Sequence, residues 1–223
     1  MRLYPCHLTF HENLFFATRE VGRLYETGRF LHNYALTYAL GLAQSTYFHA
    51  QQIPAYQDEL EPLNEQGIYV TPARGVKISY DLVTFKYADN AYRVKMMPGS
   101  RNTPSFGRAK EIAVGSVFEF GVLSQKPLKL PTWIRMGLWQ SKAQLKVLAE
   151  VELDPKPLAE QQASFPLNPL DTPGELHLFD LISMPPSSLL ENLILKTEWW
   201  YAKTEQSEWW LPTNMRYTFP EVS

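Results

Sequence analysis

The chain has 223 residues, of which 45% are hydrophobic and 20% charged, as in a soluble globular protein with one sizeable domain. Its single cysteine, Cys6, excludes an intrachain disulfide and favours a reducing compartment, so we expect a cytoplasmic protein. The net charge of −2 conceals a division. Residues 1–146 carry 17 Lys+Arg and 11 Asp+Glu (+6), whereas residues 147–223 carry 4 and 12 (−8). The basic part suits phosphate groups, and the acidic part suits solvent or a basic protein partner.

The N-terminal region predicts a strand and then a buried helix. Residues 3–11 alternate apolar and polar side chains, as a half-buried strand does. Residues 31–42 are apolar on nearly every side, so the helix predicted there, with Thr27 as its N-cap, must be buried. The run 30–43 is too short and too interrupted to cross a bilayer, and no membrane contact is expected. An arginine-bearing loop separates strand and helix; it contains Arg19, Arg23 and Arg29.

The middle of the chain predicts an insertion followed by strands. Residues 44–75 contain several prolines and an acidic patch, which indicates an irregular loop or insertion between core elements. Residues 76–87 predict a strand that forms a hairpin with residues 92–97. Further strands are predicted at 112–124 and 143–153, where apolar and polar residues alternate most clearly.

The acidic C-terminal part predicts an extension of the core. Residues 154–174 contain five prolines, which predicts a stiff, extended connection. Ser187 or Ser188 is predicted to cap a short helix that runs to Leu195. Residues 198–210 contain two Glu-Trp-Trp triplets ten residues apart, and they predict a β-hairpin.

Strands outnumber helices, and the one early helix follows the first strand, so the predicted fold class is α+β with an antiparallel sheet core. An RRM-like or ferredoxin-like sheet with insertions and a C-terminal β extension fits this order. We therefore predict an RRM-like core at 1–153 with an insertion at about 44–75. A proline-rich connection and a Trp-rich extension, at 154–223, are predicted to pack on that core.

Segment 91–111 is the strongest candidate for a nucleic-acid site. It combines five cations and two aromatic rings in and beside a Gly/Pro/Ser loop, with Glu111 as its single acid. Arginines bind phosphates through paired hydrogen bonds, and aromatic faces stack on bases. The alternative is a solvated hairpin and loop. The cations are Arg93, Lys95, Arg101, Arg108 and Lys110, and the rings are Tyr92 and Phe106.

Two further clusters each allow two interpretations. The segment 133–146 contains Trp133, Arg135, Trp139, Lys142 and Lys146, and Gly137 would permit a tight bend there. It is either a ligand contact or a turn whose tryptophans simply pack. The predicted hairpin contains Trp199, Trp200, Trp209 and Trp210. Because the glutamates beside them would repel phosphate, these rings predict either a protein interface or a hairpin that closes the core.

Three segments near the N-terminus resemble one protein family. FFATRE (15–20), LYET (24–27) and LHNYALTYALGL (31–42) are similar to the Cas-five-like Csc-one family, the small RAMP subunit of type I-D CRISPR Cascade. The resemblance implies an RRM-like, non-catalytic protein without a cofactor that holds the 5′ handle of a CRISPR RNA. It also implies contacts with backbone Cas-seven-like and large Cas-ten-like subunits, and with target double-stranded DNA near the PAM.

The resemblance assigns the basic residues to RNA and the tryptophans at 199, 200, 209 and 210 to protein partners. In Cas-five-like proteins a basic, glycine-containing segment near 133–146 helps to hold the RNA. The predicted RNA-binding residues are Arg19, Arg23, Arg93, Lys95, Arg101, Phe106, Arg108, Lys110, Arg135 and Lys142.

A metal-independent endoribonuclease that processes CRISPR repeat RNA is the alternative function. Some Cas-five relatives cleave RNA with a histidine, a tyrosine and a lysine; the candidates here are His7 or His11 with Tyr80 or Lys77. The type I-D resemblance argues against cleavage, because those systems use a separate processing nuclease. The sequence has no metal-ligand spacing and no nucleotide-binding loop. A third hypothesis is an unrelated protein-interaction module with an incidental charge division.

Overall fold

The computed structural model describes residues 1–43, 55–86, 106–205 and 207–219, with the backbone alone at Lys86 and Phe106. The helices are α1 (Asn33–Ala39) and α2 (Tyr56–Gln66). The strands are β1 (Arg2–Phe10), β2 (Arg19–Val21), β3 (Leu24–Glu26), β4 (Phe30–Leu31), β5 (Ile68–Val70), β6 (Ala73–Lys77), β7 (Tyr80–Lys86), β8 (Phe106–Ile112), β9 (Val117–Ser124), β10 (Trp133–Met136), β11 (Ser141–Val147), β12 (Val151–Glu152), β13 (Asp154–Gln162), β14 (Glu175–Ile182), β15 (Leu189–Lys203) and β16 (Glu208–Pro212).

Four antiparallel strands, in the spatial order β11-β1-β9-β6, form the centre of an eight-stranded sheet, here called the main sheet. In chain order these are the fourth, first, third and second strands, and α1 lies between the first and second. This is the strand order of a ferredoxin-like or RRM-like sheet, so the predicted α+β class with an antiparallel sheet core is confirmed. The connection from β9 to β11 contains β10 where such a sheet has its second helix.

The alternation along β1 separates a buried face of the main sheet from an outer face. Alternate side chains of β1, from Tyr4 to Phe10, pack in one buried cluster with Leu36 and Leu40 from α1 and its C-terminus. Each buried side chain of this kind contributes on the order of 1.5–3 kcal/mol, so the cluster fixes α1 to this face. The buried face of β1 consists of Tyr4, Cys6, Leu8 and Phe10, as the alternation predicts.

Two four-stranded sheets accompany the main sheet. The first, called the hairpin sheet, has the order β2-β3-β8-β7, and its β3 and β8 pair in parallel. The second, called the C-terminal sheet, has β13 and β14 on opposite sides of β15, and β16 also pairs with β15. Both sheets are joined to the main sheet by short connections, from β8 to β9 and from β12 to β13.

The C-terminal sheet and the segment that follows β13 pack on one end of the outer face. Leu3 and Leu123 of the main sheet share a buried cluster with Phe165 and Trp209. A Cβ atom at Gly121 would lie 2.9 Å from the Phe165 ring, so glycine permits this close approach. As a result, the outer face of the main sheet is covered at one end and open at the other.

A buried carboxylate joins α1 to the C-terminal part of the chain. Asp171 Oδ2 accepts hydrogen bonds from Asn33 Nδ2 (2.8 Å) and from the Tyr69 hydroxyl (3.1 Å). Its Oδ1 accepts one from the Thr218 backbone N–H (3.0 Å). Three separate parts of the chain therefore donate to one side chain, which is 2% exposed.

Tyr217 adds a second buried connection. Its hydroxyl lies 2.7 Å from Thr37 Oγ1 and accepts a 3.2 Å hydrogen bond from the Val70 N–H. Its own backbone N–H donates to Asn64 Oδ1, and its carbonyl accepts from Asn64 Nδ2, both at 2.9 Å. The C-terminal tail is thus bound to α1, α2 and β5 by polar groups that have little or no access to water.

The first helix is shorter than the predicted 31–42, because β4 precedes it, and its N-cap is His32. His32 Nδ1 accepts a 3.2 Å hydrogen bond from the Tyr34 N–H. The prediction of Thr27 as the N-cap is wrong. The Thr27 N–H donates to the Lys110 carbonyl (3.0 Å), so Thr27 is bound to the hairpin sheet instead.

Within the predicted insertion at 44–75, the described residues form α2, β5 and the start of β6 rather than an irregular loop. Asp58 and Glu59 occupy the first turn of α2, where carboxylates oppose the positive end of the helix dipole. Gly67 ends the helix with φ +65°. Pro62, which argues against a helix in the sequence, lies inside it.

Three later predictions also change. The strand predicted at 76–87 is divided, since β6 ends at Lys77 and β7 begins at Tyr80. β7 pairs with β8, and its predicted partner at 92–97 lies outside the described residues. The proline-rich connection begins as strand β13. The helix predicted to end at Leu195 is wrong, because β15 pairs with β13 on one side and β14 on the other. The hairpin at 198–210 is confirmed as β15 and β16.

We expect Tyr217→Phe to lower the free energy of unfolding by about 1–3 kcal/mol, because the buried Val70 N–H loses the hydroxyl that accepts from it and Thr37 Oγ1 keeps only its bond to the Asn33 carbonyl. Urea denaturation followed by circular dichroism measures the change. Tyr201→Phe is the matched control, since Tyr201 is half-buried and its hydroxyl makes no hydrogen bond within the described part of the chain. Equal midpoints for the two variants would contradict the role given to the Tyr217 hydroxyl.

The raised pKa of Asp171 makes the stability of the fold depend on pH. Burial raises its pKa from 3.8 to about 6, partly offset by the hydrogen bonds it accepts from Thr218, Asn33 and Tyr69. The carboxyl binds its proton more tightly in the folded state than in the unfolded state. The protonated carboxyl therefore contributes its full amount to the free energy of unfolding below pH 3.8, and this contribution is lost as the pH rises through 6. The loss is up to about 3 kcal/mol. A ¹³C NMR titration should give a midpoint near pH 6, and Tyr69→Phe should move it upward. A midpoint near the unfolded value would contradict the expectation.

Candidate nucleic-acid interface

The open end of the outer face is a polar surface that runs across β10, β11 and β1. Trp133 lies opposite Gln144, and Gln144 lies opposite Thr9. In the next row toward the covered end, Lys146 lies opposite His7. Because opposed residues of antiparallel strands share a face, these five side chains form one continuous surface on the side away from α1.

Trp133 is the exposed aromatic ring of this surface, with 42% of its area accessible. The ammonium group of Lys142 lies 4.3 Å from the centre of the ring, and the His11 ring meets it edge to face at 5.0 Å. These contacts hold the indole in place and put a cation beside it. A fixed ring with a cation beside it is suited to stack on a base while the adjacent phosphate is neutralised.

Glu12 positions the basic residues of the β10–β11 hairpin. Its Oε2 accepts a 2.8 Å hydrogen bond from the Lys142 N–H and lies 3.6 Å from Arg135 Nη1. Arg135 also donates to the Gln140 carbonyl at 2.9 Å. Gly137 forms the tight turn with φ +79°, and a Cβ there would lie 2.4 Å from a Leu14 methyl. Arg135 is therefore partly neutralised, whereas Lys146 makes no ion pair with any described residue.

The hairpin sheet carries the second group of predicted residues. Arg19 binds Glu26, and Lys110 Nζ lies 3.6 Å from the same carboxylate. The hydrogen bond from Arg19, together with both nearby cations, lowers the pKa of Glu26. Lys110 Nζ also lies 4.3 Å from the centre of the Tyr80 ring. Ion pairs and ring contacts thus orient Arg19 and Lys110.

Arg108 and Arg23 lie next to these ion pairs. Arg108 is exposed on β8, opposite Leu24 on β3 and Thr84 on β7, and it forms no ion pair within the described ranges. Its backbone N–H donates to the Arg23 carbonyl at 2.8 Å, so the β2–β3 turn is held against β8. The structure therefore brings four predicted residues to one sheet: Arg19, Arg23, Arg108 and Lys110.

Asn13 links the hairpin sheet to the main sheet, and sequence reasoning missed it. Asn13 Nδ2 donates to Asp81 (3.0 Å) and to Glu111 (3.3 Å), while the Asn13 carbonyl accepts from Ser141 Oγ (2.6 Å). Burial is the largest cause of the raised pKa of Glu111. The signal available in the sequence is the polar His-Glu-Asn run that follows the first strand. It places Glu12 and Asn13 where two sheets meet.

The strongest predicted segment is only partly described. Arg93, Lys95 and Arg101 lie outside the described residues, and at Phe106 the backbone alone is placed, opposite Lys86. Segment 91–111 is therefore represented here by Arg108 and Lys110.

The residues proposed for RNA cleavage are not assembled. His7 and His11 are four residues apart in an extended segment, which separates their backbones by about 13 Å. Lys77 lies opposite Val117, so β9 separates it from β1. Tyr80 belongs to the hairpin sheet. Within the residues that the structure places, no hydrogen bond joins either histidine to Lys77 or Tyr80.

The four tryptophans of the C-terminal hairpin differ in burial. Trp199 is fully buried and its indole N–H donates to the Ala159 carbonyl at 2.9 Å. Trp209 is also buried, against the main sheet. Trp200 and Trp210 are half-buried, and Trp210 packs on Tyr201 at 4.4 Å. Trp199 and Trp209 thus lie in the chain's own core, and a role of these rings in a protein interface stays a prediction.

The described ranges contain neither a metal centre nor a membrane-spanning helix. No group of three or more His, Cys, Asp or Glu side chains there could hold a metal ion. None of the helices in that part of the chain is long and apolar enough to cross a membrane.

The comparisons with known proteins give one family. A sequence profile described as type I-D CRISPR-associated protein Cas5/Csc1 matches residues 1–220. No curated protein matches the chain significantly. Among solved structures, a chain of the type III-B Cmr-beta complex bound to cognate target RNA and AMPPnP has a TM-score of 0.46 and 10% identity, over 86% of each chain. The family match extends over all three sheets.

Proposed function

Because the chain belongs to the family of type I-D CRISPR-associated proteins Cas5/Csc1, we propose that this Cascade subunit holds the 5′ handle of the CRISPR RNA without cleaving it. The observation that carries the proposal is the open end of the outer face. There an RRM-like sheet presents an exposed tryptophan, flanked by Lys142 and near Lys146, on the side away from its helix.

The physical argument concerns single-stranded RNA. RRM-like sheets bind splayed bases on aromatic side chains, and basic residues neutralise the backbone. Trp133 supplies the stacking surface, and Lys142, Lys146 and Arg135 supply the charge. The polar side chains of Thr9 and Gln144 can hydrogen bond to base edges or to the 2′-hydroxyl.

The hairpin sheet would extend this contact. Asn13 joins it to the end of the main sheet at which the surface is open, so an RNA strand that crosses Trp133 can continue toward Arg108 and Lys110. We include Arg19 and Arg23 because they belong to the same sheet. Arg93, Lys95, Arg101 and Phe106 are included from the sequence alone.

The remaining parts of the proposal concern macromolecular partners. The acidic C-terminal sheet would face protein, because its carboxylates repel phosphate; the backbone Cas-seven-like and large Cas-ten-like subunits are the proposed neighbours. Contact with target double-stranded DNA near the PAM is proposed on the family membership alone.

Two variants separate phosphate binding from base stacking. Lys142→Glu/Lys146→Glu should weaken binding of a single-stranded handle RNA at least tenfold and reduce the salt slope, by about 0.7 for each phosphate that the variant no longer neutralises. Trp133→Ala should weaken binding several-fold with an unchanged slope, because stacking is not ionic. Fluorescence anisotropy at several salt concentrations measures both effects.

Lys126→Glu/Lys129→Glu is the matched control, since both lysines are exposed in the connection after β9 and outside β10, β11 and β1, the strands that form the open surface. This control changes the net charge by the same amount as Lys142→Glu/Lys146→Glu, and we expect it to retain most of the affinity for the handle RNA. The proposal fails if both double variants lose the same affinity, since net charge alone would then account for binding.

The non-catalytic role has its own test. Repeat RNA incubated with the purified chain in EDTA should stay intact, because the residues required for a histidine-dependent cleavage are apart. Denaturing electrophoresis shows the result. Cleavage that disappears with His7→Ala or His11→Ala would establish the endoribonuclease instead.

A further inference from the structure

The edge strand β14 is exposed and apolar, which is unusual in a folded protein. In the described residues it pairs with β15 on one side and with nothing on the other. Four of its eight side chains are large, apolar and 37–63% exposed. An uncovered apolar edge is a template for pairing with another chain, so proteins normally protect such edges. The four residues are Leu176, Leu178, Phe179 and Leu181.

The opposite edge of the same sheet shows that protection. β13 contains Pro155 and Pro157, which have no N–H to donate to an added strand. β14 has no proline and no lysine. Shifts in register between Leu176 and Asp180 interrupt its ladder to β15, but they leave the apolar side chains uncovered. One edge is therefore closed to strand addition and the other is open.

The charges beside β14 indicate the chemistry of its partner. The strand carries Glu175 and Asp180 and no Lys or Arg. Asp180 Oδ2 accepts a 2.7 Å hydrogen bond from Asn192, and no cation of the described residues pairs with it. His177 lies 2.9 Å from Glu160 and 3.8 Å from Glu175, two carboxylates of its own sheet. Lys196 on β15 lies opposite Glu175 but forms no ion pair with it. Carboxylates repel nucleic acid and attract a basic peptide segment.

We propose that β14 is a docking edge for an extended segment of another protein subunit of the effector complex, one that carries both apolar and basic residues. The segment adds as a strand, so that its backbone pairs with β14 and its apolar side chains cover Leu178 on one face and Leu181 on the other. Its cations meet Glu175 and Asp180. This inference rests on the proposed function only in assuming that the chain works as a subunit of a complex.

Leu178→Lys tests the edge, and Leu158→Lys is its control. The two leucines are 63% and 61% exposed on opposite edge strands of one sheet. The chain is co-expressed with the other subunits of the complex, and the fraction that co-purifies is measured. We expect Leu178→Lys to reduce that fraction at least tenfold, because it removes an apolar contact and repels a basic segment. Leu158→Lys should stay within twofold of the unsubstituted chain.

Hydrogen exchange supplies the second measurement. The amides of residues 175–182 should exchange more slowly in the assembled complex than in the free chain, whereas those of β13 should not change. Equal retention of the two variants, or unchanged exchange in β14, overturns the proposal. A dimer of the free chain that Leu178→Lys abolishes overturns it as well, because a second copy would then occupy the edge.

The same variants separate this inference from the RNA-binding role. Free Leu178→Lys should bind handle RNA as the unsubstituted chain does. If Lys142→Glu/Lys146→Glu leaves RNA affinity intact while Leu178→Lys leaves the complex, the RNA proposal fails and the docking edge stands. If the first variant loses RNA and the second stays bound in the complex, the docking edge fails alone.

Discussion

The hydrogen bonds that converge on Asp171 are the interaction on which the rest of the arrangement depends. Asn33 at the start of α1, Tyr69 on β5 and Thr218 in the C-terminal tail all donate to this one buried carboxylate. Removing a donor from so dry a site leaves the buried carboxylate with fewer hydrogen bonds than its burial requires, which costs more than an exposed hydrogen bond contributes. The network therefore fixes how the C-terminal part of the chain is placed on the core.

That placement decides which part of the main sheet stays available. The rings of Phe165 and Trp209 cover the end of the outer face where Gly121 allows close approach, and the rest of the face keeps its polar side chains in solvent. An RRM-like sheet normally has one whole face for ligand. Here the C-terminal extension uses one end of that face as a second core, and the cations beside Trp133 occupy the remainder. The second core and the proposed binding surface thus occupy different ends of the same strands.

The sequence predicts this molecule best where the periodicity is local. The buried face predicted from the alternation in β1 and the hairpin predicted from the two Glu-Trp-Trp triplets are both present in the structure. Prediction from the sequence fails where pairing between distant segments decides the structure. The start of β15 has the sequence of a capped helix, but it forms a strand because β13 and β14 pair with it. Likewise, β3 pairs with β8, which is more than eighty residues away in the chain. The tract around Asn33 carries the resemblance to the family. Its sequence does not show that Asn33 donates a hydrogen bond to Asp171, because that contact forms only when the C-terminal part of the chain packs on α1. At the site, the cations are predictable, whereas Glu12 and Asn13, which position them, become recognisable only after two sheets meet.

The charge division of the sequence acquires a physical meaning from the ion pairs. Exposed pairs such as Arg135 with Glu12 contribute little to stability, about 0–1 kcal/mol each, because solvent screens them. Their effect is to hold long, flexible cations in defined directions before any ligand arrives, which reduces the entropy that binding must remove. A phosphate can then replace the carboxylate as the partner of the guanidinium. On β14, Glu175 and Asp180 form no ion pair with a lysine or an arginine of the described residues, so their charge is available to a partner at that edge. The charge division therefore supports two proposals at once: a polyanion as the partner of the basic half and a basic protein segment as the partner of the acidic half.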